Sequence, residues 1–158
     1  MATVVERFAE RMAHTFGRSM VNRGSSEPLS VAIDAFAAQG DQLNARLGSL
    51  ADSRPNRARL AHIIGIERWG AARLGVFLGD PLVEGEYDAY CPPQDDWSAL
   101  CAAFATARAE SVARLRQIAA QGVSDRQEVL HNGYGTLTVR GWLRYMQLHA
   151  AIESTRLR

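Results

Sequence analysis

The stretch Pro55–Leu78, PNRARLAHIIGIERWGAARLGVFL, carries Leu60, Ile63, Ile64, Ile66, Trp69, Leu74, Phe77 and Leu78. At 3.6 residues per turn these positions cover more than one face of a helix, and a helix apolar on several sides is one covered by neighbours. The segment Asp52-Ser53-Arg54-Pro55-Asn56 offers a cap and a proline for its first turn, and Gly79-Asp80-Pro81 stops it. The stretch therefore reads as the central helix of a helical domain.

Toward the N-terminus, Ile33, Phe36, Gly40, Leu43, Leu47 and Leu50 recur in steps of three and four. They predict a helix from about Pro28 to Ala51 with one apolar seam, and Gly40 on that seam allows close approach. Ahead of it, Val5, Phe8, Met12 and Phe16 predict a short amphipathic helix over Thr3–Val21, ended by Asn22-Arg23-Gly24-Ser25-Ser26. Residues 1–24 are thus expected to form an N-terminal helix and linker, and residues 25–158 the main body.

Toward the C-terminus lies the connection GDPLVEGEYDAYCPPQDD, residues 79–96. Antiparallel neighbours need only short loops, so a loop this long fits a crossover between parallel helices. Asp95 or Asp96 can cap the next helix, about Trp97–Gln121, whose apolar side holds Leu100, Phe104, Leu115 and Ile118. Val123–Gly135 reads as loop, with a turn at Asn132-Gly133-Tyr134-Gly135, and a last helix begins near Thr138. No segment predicts a strand. The expected fold class is all-α: a four-helix bundle plus the extra N-terminal helix.

Composition narrows the function classes. The 158 residues include 18 basic and 17 acidic side chains, a net charge of +1, which argues against a dedicated nucleic-acid binder. No apolar run approaches the roughly 20 residues that span a bilayer. The first residues hold acids and no apolar stretch, unlike a secretory signal. Two cysteines, Cys91 and Cys101, form no Cys-x-x-Cys pair and suit a reducing, cytoplasmic setting.

Three constellations could carry chemistry. His149 and Glu153 stand four apart, so a helix puts both on one face, and a third ligand from another helix, best His62, would complete a set for one divalent cation. Two imidazoles and a carboxylate leave positions open for water or substrate. The same spacing also suits an ordinary charge contact on a helix surface. His14 has no evident partner, and His131 suits loop hydrogen bonds. Glu67, on the central helix, needs a cation; Arg68, Arg73 and Arg144 are the candidates, with a helix-tying ion pair ahead of an acid/base role. Tyr87, Asp88, Tyr90 and Cys91 in the crossover could shape a lid, but no base beside Cys91 makes it a nucleophile.

The run Leu60–Trp69, with His62 and Glu67, the stretch Glu86-Tyr87-Asp88-Ala89-Tyr90-Cys91-Pro92-Pro93, the run His131–Thr138 followed by Trp142-Leu143, and the terminal Leu148-His149-Ala150-Ala151-Ile152-Glu153 together resemble the DinB/YfiT-like superfamily over about residues 28–158. The resemblance implies a four-helix bundle in up-down-down-up order with the long crossover between helices two and three, commonly as a homodimer. It implies a mononuclear site for a divalent metal, zinc or nickel, at His62, His149 and Glu153, where Glu153 stands in place of a usual histidine. Relatives include thiol-dependent S-transferases and isomerases, hydrolases of small substrates, and members without an assigned activity. Two functions stay open: an enzyme activating water or a low-molecular-weight thiol, or a metal-free helical scaffold or small-ligand module with Glu153 paired to an arginine such as Arg156 or one from a neighbouring helix.

Overall fold

A computed structural model describes residues 27–158 and, ahead of them, Ser19 alone. Apart from Ser19, the helix expected over Thr3–Val21, with His14 in it, lies outside the described residues. Four helices pack together: α1 (Leu29–Leu47), α2 (Arg54–Phe77), α3 (Trp97–Ala120) and α4 (Val139–Ser154). Between α3 and α4 runs an antiparallel hairpin of β1 (Glu128–His131) and β2 (Gly135–Thr138). No described helix is long and apolar enough to cross a membrane.

Local chemistry sets the helix ends. Pro28 sits one place ahead of α1, and its carbonyl accepts from the amides of Val31 and Ala32. Ser53 accepts from the Asn56 amide at 3.3 Å with Pro55 in the first turn of α2. Asp96, of the two aspartates, caps α3 through the Ala99 amide, and Thr138 caps α4 through that of Gly141. Helix α1 ends at Leu47, short of the expected Ala51. Gly48 and Ser49 follow, poor helix formers, and the Ser49 hydroxyl donates to the Arg46 carbonyl.

The hairpin corrects the expectation of an all-α chain. Register pairs Val129 with Leu137 and His131 with Gly135, so Val129, His131 and Leu137 face inward while Glu128 and Leu130 face out. Each strand has four residues, too few for alternation to stand out, and the anchor comes from afar: the Trp142 indole donates to the Val129 carbonyl at 3.2 Å.

As its pattern predicts, α2 is covered on most sides; Leu60, Ile63, Ile64, Ile66, Trp69, Leu74 and Phe77 are all buried. Each such side chain contributes roughly 1.5–3 kcal/mol by leaving water. Contacts between α2 and α3 run in step along the chain: Arg57 reaches the Asp95 carbonyl, and Glu67 meets Arg108. Contacts between α2 and α4 run in opposite order, Arg59 with Glu153 and Trp69 with Trp142. The crossover packs along α2. Its 3-10 turn, Tyr87–Tyr90, sits beside Gly65, where an added Cβ would overlap the Cys91 sulfur.

Glu67 is 1% exposed, and its partner is Arg108 of α3, not Arg68, Arg73 or Arg144. The guanidinium meets the carboxylate at two points, Nη2 to Oε1 at 2.6 Å and Nε to Oε2 at 3.1 Å. It also donates to the Phe36 carbonyl at 2.8 Å and stacks 3.8 Å over the Phe36 ring. Gly40 provides the room, since a Cβ there would overlap the Arg108 stem; a side chain, rather than backbone, makes the close approach. Burial alone pushes the Glu67 carboxyl upward, and the contact with Arg108 opposes it. Glu67→Ala leaves that guanidinium buried and uncompensated, so urea denaturation should report a loss of about 3–5 kcal/mol, most of it recovered by the double replacement Glu67→Leu with Arg108→Met.

Candidate metal centre

His62 comes from the first half of α2, and His149 and Glu153 from successive turns of α4. The two helices approach closely because Gly70 has no side chain; a Cβ there would overlap the Met146 sulfur, one turn before His149. The Nε2 atoms of His62 and His149 face each other at 3.0 Å. One ligand atom from each of His62, His149 and Glu153 lies within 4.8 Å of the others. A tetrahedral zinc ion with ligands near 2.0–2.1 Å separates them by roughly 3.3 Å. The imidazoles need only open by a few tenths of an ångström, while the carboxylate must swing in by up to about 1.5 Å.

The carboxylate is not idle. Glu153 Oε2 accepts from Arg59 of α2, and Oε1 accepts from Arg156 at 3.2 Å. Its side chain is 12% exposed. Burial raises its proton affinity, but Arg59, then Arg156 and His149, more than offset this and hold the carboxyl below its usual range. Arg156 is the partner expected from sequence. Arg59 is the arginine from a neighbouring helix, and its place three residues before His62 puts it on the same face of α2.

Both imidazoles are poised neutral. Burial, then the neighbouring His62, lowers His149 to about 4, with Glu153 opposing. Burial also lowers His62, against Glu153 and helped by Arg59. At neutral pH each ring keeps one lone pair, and one Nε2 donates to the other across the 3.0 Å gap; a cation bound there would need that donor's proton on its Nδ1 instead. His149 Nδ1 has no hydrogen-bond partner, so this ring lacks the outer support that commonly orients a ligating histidine. Two aromatic rings flank the pair: Tyr87 meets the His62 ring edge-on at 4.9 Å, and Tyr145 lies 6.0 Å from His149.

The remaining candidates stay apart from this cluster. His131 Nδ1 accepts from the amides of Gly133 and Tyr134, the loop role expected of it. The Cys91 thiol faces the Tyr87 carbonyl at 3.6 Å, and burial followed by Asp88 pushes its pKa up, against Arg68. That is the reverse of an activated thiolate.

Fold and site thus define a small, mostly helical protein with a His-His-Glu group that could hold a metal ion. No family model matches the chain, and neither a curated protein nor a solved structure does.

The depressed pKa of His149 has a consequence for metal-free protein. The unfolded chain takes up its proton near pH 6.5 and the folded chain only near pH 4, so this residue's share of stability is complete above 6.5 and drains away as pH falls to 4. NMR titration should find the His149 ring neutral down to about pH 4. Denaturation midpoints should fall across the same window, and less steeply in His149→Asn.

Proposed function

We propose that the protein is a metal-dependent enzyme in which His62, His149 and Glu153 hold one divalent cation, zinc or nickel, for chemistry on a small electrophile. The observation that carries this is the convergence of two neutral imidazoles and a carboxylate from two helices on one point. Such an ion would acidify a bound water or low-molecular-weight thiol and leave a position open for substrate. The protein's own groups do the rest. His62 and His149 offer lone pairs without first losing a proton at neutral pH. Glu153 supplies the negative charge through one oxygen, while Arg156 retains the other and limits its rotation. Tyr87 covers the outer side of His62 and restricts water there.

The DinB/YfiT-like resemblance supports the same reading. So does the direction of the helix contacts, in step between α2 and α3 and opposed between α2 and α4, which agrees with an up-down-down-up bundle. A second reading rests on the two arginines. Glu153 already has both oxygens engaged, and in a metal-free helical module that ion-pair cluster would simply join α2 to α4.

Zinc titration by calorimetry separates the two. The enzyme reading expects about one equivalent bound per chain, lost in His62→Ala with the thermal transition retained. It also expects tighter binding in Arg59→Gln, because a competitor for the carboxylate has gone. Absence of zinc uptake, together with destabilisation by Arg59→Gln, selects the metal-free module.

A further inference from the structure

Arg73 of α2 is a buried cation without an anion. It is 3% exposed. Nη2 reaches the Gly85 carbonyl at 3.3 Å and Asn132 Oδ1 at 3.4 Å, both long for such bonds, and Nη1 has no hydrogen-bond partner. Among the described residues no carboxylate pairs with it. A charge this far from water ordinarily has a counter-ion and a full set of acceptors.

Its surroundings suggest what completes it. The guanidinium carbon lies 5.2 Å over the Trp69 ring. Trp69 is also a wall of a cleft of about 180 Å³, shared with Tyr87, His131, Asn132 and Tyr145. Cavities of roughly 150 Å³ with apolar walls take up a single benzene ring, so this space suits a molecule of that size. The cleft borders the His-His-Glu cluster, because Tyr87 contacts the His62 ring and Tyr145 neighbours His149. Arg73 is not itself a wall of the cleft; Asn132, which is, stands between the two and shares Nη2 with the Gly85 carbonyl.

We propose that the cleft binds a small, flat carboxylate about one ring in size. The ring sits among Trp69, Tyr87 and Tyr145. The carboxylate takes the place of Asn132 Oδ1 on Arg73, exchanging a long bond to a neutral amide for a charge-assisted one. Aromatic walls by themselves could also attract an organic cation. Arg73 already stacks on Trp69, however, and its like charge opposes that. The acid that lines the cleft, Glu86, is exposed and screened by solvent. Binding stands on Arg73 and the cleft; that the bound molecule is the substrate rests on the cation reading above.

The test uses the full chain stripped with EDTA, so a failed zinc titration leaves its outcome intact, and the reverse. Benzoate, benzamide and benzyltrimethylammonium are titrated and followed by saturation-transfer NMR and calorimetry. Benzoate should bind about tenfold or more tightly than benzamide, as expected of a charge-assisted bond to a buried arginine. The gap should close in Arg73→Met and persist in part in Arg73→Lys. Asn132→Ala, which frees the guanidinium, should widen it and gives a readout even where Arg73→Met does not fold. Equal binding of benzoate and benzamide, preference for the ammonium probe, a gap that survives in Arg73→Met, or one that Asn132→Ala leaves unchanged overturns the proposal.

Discussion

The bidentate contact between Glu67 and Arg108 constrains nearly everything else. It is buried, and its reach extends beyond the pair. Arg108 Nη1 also donates to Gln39 Oε1 at 3.2 Å, and Gln39 Nε2 donates to the Gln147 carbonyl at 3.0 Å. One chain of polar contacts therefore runs from α2 through α3 and α1 to α4. It leaves α2 five residues after His62 and arrives on α4 two residues before His149. Apolar packing alone tolerates small slides of one helix along another, whereas a buried charge that must meet its partner at two points does not. The 3.0 Å spacing of the two imidazoles depends on that absence of slack.

Much of this architecture was legible because helices write their packing locally. The seam of α1, the many-sided cover of α2, the caps at Ser53, Asp96 and Thr138, and the four-residue step from His149 to Glu153 are all short-range patterns. The partner of Glu67 was not, since Arg108 lies 41 residues away. A signal did exist: Arg108 stands four after Phe104 and three before Ser111, on the apolar stripe of α3, and a charge in such a stripe seeks a buried partner. The hairpin escaped for a different reason. Strands of four residues carry little periodicity, and what holds β1 in place is an indole on the following helix.

Glu153 shows how one residue can be suited to two chemistries. A carboxylate held low by Arg59 and Arg156 is fully charged at neutral pH, which is what a divalent cation requires of it. The same arginines compete for its oxygens. Arg59 is 37% exposed and Arg156 57%, so their hold is solvent-weakened, each worth no more than about 1 kcal/mol. A divalent ion shared with two imidazoles offers far more than that. With a cation bound, the balance would favour displacement of Arg59, whose exposed side chain has water to move into, with Arg156 left on the second oxygen.

The irregular segments supply most of the cleft's wall. His131, Asn132 and Gly133 enter it from the hairpin, and Tyr87 from the crossover. The helices, by contrast, supply a rigid frame and the side chains that could hold a metal. This division follows from backbone chemistry. A helix spends its amides and carbonyls on itself, so a turn such as Asn132–Tyr134, secured by the His131 ring, is where the chain can present several unlike groups to one small volume. Arg73 connects the two layers: it is rooted on the central helix, lies over Trp69, and bonds the hairpin and the crossover through Asn132 and Gly85. A molecule that claimed its guanidinium would draw on both segments at once, and so would alter the cover beside His62 as it bound.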